Sequence, residues 1–221
     1  MGRFSCEPIT AVTRRTKMNQ KPRNYALTEN RILSESELKL MLKTIKPNME
    51  QSLRQGRHIH FINDYFLILI GSLTGLRVSE AAGLKIGDIS ENSIKVIGKG
   101  RKLRVVPLGK RGRSAIEELI NLKDGVMDQS VTPDSFLFLN RNGKPFTRHA
   151  IARRFDYWRK RCGIQRSINY HSLRHHFATY LLNNGFHLHE AQKILGHSSP
   201  SVTAMYLHFT DQTQDRVDAV L

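Results

Sequence analysis

The chain has 221 residues, enough for one sizeable domain with its own core. Lysine and arginine number 35 against 19 acidic residues, a net charge of +16, and that excess points to a polyanionic partner, most commonly nucleic acid. No apolar run reaches the length of a membrane-spanning helix, the basic N-terminus does not read as a secretory signal, and Cys6 and Cys162 form neither a disulfide framework nor a CxxC pair, so a cytoplasmic, reducing compartment is the default.

Residues 1–31 carry Arg14, Arg15, Lys17, Lys21, Arg23 and Arg31 with little apolar periodicity, which predicts a flexible basic arm. Such an arm is either plain disorder or a tail that touches phosphates. Ser34 then caps a helix bearing Leu38, Leu40, Met41, Leu42 and Ile45, and Pro47 is expected to end it. Residues 60–73 predict a second, largely buried helix. Thr74 to Glu80 reads as a turn into a third helix, with Arg77 near its start and Gly75 leaving room for another backbone or a ligand. Glu80, three residues on, can reach Arg77. The pair is either an ordinary helix-start ion pair or an arginine held for a phosphate.

Residues 93–97 and 103–108 alternate and are β-branched, and the glycine-flanked segment Lys99, Gly100, Arg101, Lys102 between them makes a basic hairpin loop. Lys99 is either a solvated turn lysine or an ammonium that enters a site from one side. Arg101, Lys102, Arg104, Lys110, Arg111 and Arg113 continue the basic run. Residues 114–122 predict a helix, residues 136–139 a third short strand, and Asn142-Gly143 a turn. Residues 147–161 predict a helix with Ile151, Phe155 and Trp158 inside and Arg153, Arg154, Arg159, Lys160 and Arg161 outside. With Asp156 as its only counter-charge, that face suits a DNA groove and its phosphates better than mere solubility.

The last third is the densest in chemistry. Leu173, Phe177, Tyr180 and Leu181 recur at helical spacing, which places His171, Arg174 and His175 on one face. Gly185 is a stop, a short helix fits residues 188–195 with Gly196 at its end, and Ser199-Pro200 opens a further helix carrying Tyr206 beside Val202, Met205 and Phe209. Each feature alone reads as a solvated face or a core aromatic. Together they set phosphate-favouring groups and a phenol on successive short helices. The fold class is therefore mainly α with a small antiparallel β-sheet, an α+β domain.

The boxes Thr74–Glu80, Gly98–Gly100, His171–His175, Leu195–Ser198 and Tyr206-x-His208 resemble the catalytic domain of the tyrosine recombinases, the phage-integrase and Xer family, over residues 32–210. That resemblance implies catalytic roles for Arg77, Lys99, His171, Arg174, His197 and Tyr206, with Glu80 bracing Arg77. It implies a site-specific recombinase or integrase acting on double-stranded DNA through a covalent 3′-phosphotyrosine. The chemistry suits the residues: two arginines would clamp the nonbridging oxygens, Tyr206 would attack, His171 is the candidate base or proton relay, His197 would hydrogen-bond the phosphate or the departing tyrosine, and Lys99 would protonate the leaving 5′-oxygen. Arg101, Lys102, Arg153, Arg154, Arg159 and Lys160 are the expected DNA contacts. No cofactor is implied. His171 and His175 have metal-ligand spacing, but no HExxH or nearby carboxylate supports a metal. The rival readings are an inactive DNA-binding regulator and a type IB topoisomerase.

The resemblance further implies a homo-tetramer on DNA from a monomer in solution, and a cytoplasmic, nucleoid-associated location. Residues 211–221 form a tail whose Val217, Val220 and Leu221 share one face, to be buried on its own domain or on a neighbouring protomer. Only the basic arm stands where family members carry an N-terminal helical domain, which fits either a minimal enzyme or a piece of a longer one.

Overall fold

The computed structural model describes residues 31–98, 103–129, 131–140 and 142–196. Among these, the chain runs α1 (Glu35–Gln55), α2 (His60–Thr74), α3 (Val78–Gly83), a 3-10 turn, β1 (Ile89–Ser90), β2 (Ser93–Ile97), β3 (Leu103–Pro107), α4 (Lys110–Gly125), α5 (Arg148–Arg161), α6 (His171–Asn183) and α7 (Leu188–Leu195). The architecture is mainly α with one small antiparallel sheet, as the sequence predicts. The sheet order is β1-β2-β3, and the hairpin register pairs Ile94 with Val106 and Ile97 with Leu103. The two-residue strand β1 was not anticipated.

Helix α2 is the centre of the packing. It buries Ile62, Asn63, Asp64, Phe66, Leu67, Ile68 and Ile70, and packs against α1, α4 and α6. Gly71 permits a close approach to α6, because a Cβ there would lie 2.7 Å from the Tyr170 hydroxyl and 2.9 Å from Leu173 Cδ1. A smaller apolar cluster joins α6 to α7 through Phe177, Ala178, Leu181, Ala191 and Leu195.

Helix α1 opens with a reciprocal cap: Glu37 N donates to Ser34 Oγ at 3.2 Å and Ser34 N donates to Glu37 Oε2 at 2.9 Å. It does not end at Pro47. It continues to Gln55 and stops at Gly56, whose φ is 60°. Pro47 lies on the solvent side, so the missing amide bond and the crowded carbonyl fall where water is present, while Met41, Ile45, Met49 and Ser52 carry the buried stripe past it. The expected strand at residues 136–139 is also absent. Only isolated bridges, Lys85 to Phe136 and Leu139 to Pro145, form there. Leu137 and Phe138 are buried as in a strand, but the segment is held by single bonds, Leu137 N to the Leu84 carbonyl and Asn63 Nδ2 to the Leu139 carbonyl at 3.0 Å. Tyr180, expected on the apolar stripe of α6, is 49% exposed.

Helix α5 buries Ile151, Phe155 and Trp158 as predicted. Its charge balance differs from expectation. Asp64 of α2 is fully buried and accepts from Arg154 Nε at 2.7 Å, from Arg154 Nη2, and from Trp158 Nε1 at 2.8 Å. Asp156 is thus not the only counter-charge. Asp64 lies more than eighty residues away in sequence, which is why the local pattern hid it.

Because this carboxylate ties α2 to α5 with no water to replace its partners, Asp64→Ala should lower the unfolding free energy by about 3 kcal/mol. Chemical denaturation measures this, and a loss below about 1 kcal/mol, the value typical of an exposed pair, would show that the tie is dispensable.

Candidate active site

The turn after α2 places the first arginine. Gly75 adopts φ 61°, and its missing side chain admits two neighbours: a Cβ would lie 2.5 Å from Phe177 Cδ1 of α6 and 3.2 Å from Leu195 Cδ2 of α7. Arg77 then serves as the extended N-terminal residue of α3. Its backbone N–H donates to Glu80 Oε2 at 2.7 Å and its Nη1 donates to Glu80 Oε1 at 2.8 Å. The predicted pairing therefore forms, with the Glu80 side chain fully buried.

Arg174 comes from α6. It is fully buried, donating from Nη1 to the Gly75 carbonyl at 2.8 Å and from Nη2 to the Leu195 carbonyl. Arg77 Nη2 donates to the next carbonyl, Gly196, at 3.0 Å. A third arginine, Arg104 of β3, donates from Nη1 to the Ile194 carbonyl at 2.6 Å. The last carbonyls of a helix lack partners within it and carry the negative end of its dipole. Here three successive ones take three guanidiniums. Gly196 closes the helix at φ 62° as the sequence predicts, and His197 follows it.

Glu80 is the electrostatic hub. Besides Arg77 it accepts from Arg104 Nε at 3.2 Å and Arg104 Nη2 at 2.7 Å. Burial pushes its carboxyl towards the neutral form, but the bonds and charge of Arg104 and the bonds of Arg77 outweigh that and hold it below the ordinary carboxylate value. A depressed carboxylate stabilises the fold above its ordinary pKa, and that contribution is lost as pH falls.

His171 is the first residue of α6, and its ring meets that of His175 edge to face with centroids 4.6 Å apart. The residue as a whole is exposed. Desolvation of its ring, followed by the charges of Arg174 and Arg77, lowers its pKa to about 4. The imidazole is therefore neutral at neutral pH, the form that can accept a proton.

The structure thus gathers Arg77 and Arg174 at the end of α7, with Glu80 bonded to Arg77 and His171 within electrostatic reach of both arginines. Lys99, Arg101, Lys102, His197 and Tyr206 lie outside the described residues, as do the expected basic arm up to residue 30, the helix expected after Pro200 and the expected C-terminal tail. Arg104 was missed, having been read as one more member of a basic run. Strand alternation was the available signal, since it puts Arg104 on the same face as the buried Val106.

The cationic residues of α5 divide. Arg153 is exposed, and Lys160 reaches Asp156 at 2.9 Å from an exposed position. Arg154 is drawn to Asp64. Arg159 pairs with Asp156 and donates to the Ile164 carbonyl at 2.6 Å and the Arg166 carbonyl at 3.1 Å, which shapes the loop into α6. An open groove of about 640 Å³ beside the start of α5 is lined by His60, Thr147, Arg153, Arg154 and Tyr157, among others.

The fold is that of the tyrosine recombinase catalytic domain. It is shared with a crystal structure of the XerA recombinase, at a TM-score of 0.67 and 29% identity over 85% of this chain and 63% of that one. The XerH site-specific recombinase bound to palindromic difH substrate, a post-cleavage complex, gives 0.66 and 28% over 86% of this chain and 53% of that one. The Phage integrase family profile matches residues 31–213, and the chain belongs to that family. Tyrosine recombinase XerD of Chlamydia trachomatis is 39% identical over 140 residues, covering 63% of this chain and 46% of that protein. Tyrosine recombinase XerC of Halalkalibacterium halodurans is 40% identical over 148 residues, covering 64% and 49%. The chain spans about half the length of these curated relatives.

His171 should titrate near pH 4 in the folded chain, observed through its imidazole resonances by NMR. The unfolded chain binds this proton from its ordinary value of 6.5 downwards, so His171 draws stability down as pH falls from there towards 4. An unshifted midpoint would mean that the ring is neither desolvated nor close to the charges of Arg174 and Arg77.

Proposed function

We propose that this chain provides the catalytic domain of a site-specific DNA recombinase, which cleaves and rejoins strands through a covalent 3′-phosphotyrosine at Tyr206. One observation carries the reading. Arg77 and Arg174, far apart in sequence, meet on the adjacent carbonyls of Gly196 and Leu195, immediately before His197, and a neutral His171 stands on the helix of Arg174.

The chemistry fits the residue types that the family motifs bring together. Tyr206 Oη attacks the scissile phosphorus, and the bond from phosphorus to the 5′-oxygen breaks. His171 takes the phenolic proton, which Tyr206, with an ordinary pKa of about 10, must lose as it attacks. Lys99 gives a proton to the departing 5′-oxygen. Arg77, Arg174 and His197 stabilise charge building on the nonbridging oxygens. The carbonyl bonds preset the guanidinium planes, so less reorganisation is needed at the moment of reaction. Arg174 is fully buried, so its guanidinium is held by the fold.

Duplex DNA as partner is supported by the net charge, by exposed Arg153 beside the groove and exposed Lys160 on the same helix, and by neighbours whose structures are DNA complexes, XerH with difH among them. Arg154 and Arg159 act first as structural ties, with Arg101 and Lys102 supplying contacts from the hairpin loop. Four copies assemble on two DNA sites from a monomer in solution, each passing its tail from residue 211 onward to a neighbour. No helix among the described residues is long and apolar enough to cross a membrane.

A pool of nicked duplexes with randomised cores tests the reading, with covalent protein–DNA adducts recovered under denaturing conditions. The wild-type chain should yield an adduct in EDTA, and Tyr206→Phe should yield none while retaining DNA binding. An adduct surviving in Tyr206→Phe would remove the nucleophile assignment, binding without any adduct would favour a regulator, and supercoil relaxation without site preference would favour a topoisomerase. Arg174→Ala should slow cleavage of a recovered duplex by about 3–4 kcal/mol of activation free energy, well beyond its effect on binding in a gel-shift titration.

A further inference from the structure

We propose that Arg104 is a positioning residue for the reaction: it holds Glu80 against Arg77 and locks the base of the β2–β3 hairpin to the end of α7. The inference rests on the recombinase reading, in which Arg77 touches the phosphate and the hairpin carries Lys99.

Arg104 is placed to do this. It lies on β3 opposite Val96, just after the loop that bears Lys99, with its side chain only 11% exposed. All three of its donor nitrogens are engaged: Nε with Glu80 Oε1 at 3.2 Å, Nη2 with Glu80 Oε2 at 2.7 Å, and Nη1 with the Ile194 carbonyl at 2.6 Å. The first two form a fork onto the carboxylate, a geometry that lysine cannot reproduce. The stem is fitted as closely as the head. A Cβ on Gly196 would lie 2.6 Å from Arg104 Cδ, so the glycine that ends α7 also makes room for this side chain.

The electrostatics give Arg104 its leverage. Glu80 is buried, and a buried carboxylate keeps its charge only while paired. Arg77 supplies one guanidinium bond and a backbone N–H, and needs another N–H for Gly196. Arg104 supplies two bonds and a charge. Without it, Glu80 moves towards the neutral acid, its hold on Arg77 weakens, and the Ile194 carbonyl loses its cap. The hairpin, the arginine clamp and the residue before His197 would then move independently. A phosphate would meet donors slightly out of place, an error that costs rate far more than binding.

The test compares Arg104→Lys, Arg104→Ala and the control Lys160→Ala in the full chain. In Arg104→Lys the Glu80 carboxyl, followed by carbon-detected NMR, should titrate at higher pH than in wild type. Cleavage of a duplex recovered from the randomised pool should fall about 100-fold in Arg104→Lys. DNA binding should change little, and Arg104→Ala should behave no better than the lysine variant. Combining Arg104→Lys with Glu80→Gln should cost little more than either alone, whereas Lys160→Ala should add independently. Wild-type cleavage by Arg104→Lys, or an unmoved Glu80 titration, overturns the proposal, as does an equal loss of cleavage and binding, which would make Arg104 a plain phosphate contact. Should the wild-type chain form no adduct at all, the recombinase reading fails, and the Glu80 titration still decides whether Arg104 holds the clamp.

Discussion

A carboxylate sealed from water must be matched by positive charge, and the Glu80 carboxylate meets that condition with two arginines from different parts of the chain. This constraint organises the site. Arg77 arrives from the turn after α2, Arg104 from the sheet, and each then has a nitrogen left for the end of α7. The carboxylate never needs to meet a substrate. It fixes two guanidiniums at definite angles, and their other donors fix the chain that leads to His197. Breaking the arrangement would strand a charge where no solvent can reach it, so it behaves as one unit.

The end of α7 collects what the fold has separated. Three arginines from α3, β3 and α6 meet three consecutive carbonyls, and the apolar side of the same helix packs on α6 through Leu195 and Ala191. At Gly75 and Gly196, on either side of the arginine cluster, a side chain would collide, with Phe177 in one case and Arg104 in the other. Both also adopt positive φ, so each combines a conformational need with a steric one. Beneath this layer, α2 supplies rigidity, since its buried faces hold α1, α4 and α6 in place.

The charge excess has two uses. Arg154, Arg159 and Arg166 tie loops and helices to Asp64, Asp156, Glu37 and backbone carbonyls. Others, such as Arg153, face solvent beside an open groove, where they are free to meet a polyanion. Net charge alone therefore overstates the surface available for phosphate, because bidentate arginines are also the residues best suited to internal ties.

The sequence by itself determined whatever depends on near neighbours. The capping box at Ser34, the Arg77–Glu80 pair, the β2–β3 hairpin and the bounds of α7 with its terminal Gly196 were all readable, because each is set by residues within a few positions of one another. Helical spacing put His171 and Arg174 on one face, but the meeting of Arg77 with that face was legible only through the family's order of motifs, since nothing local brings residues so far apart into contact. Tertiary packing decided the rest. It carried α1 through Pro47 on a solvent-facing side, left residues 137–139 buried without a ladder, gave Arg154 to Asp64, and turned Arg104 inward to Glu80. These are choices between water and a distant partner for a strong hydrogen-bonding group, and a one-dimensional pattern does not contain the partner.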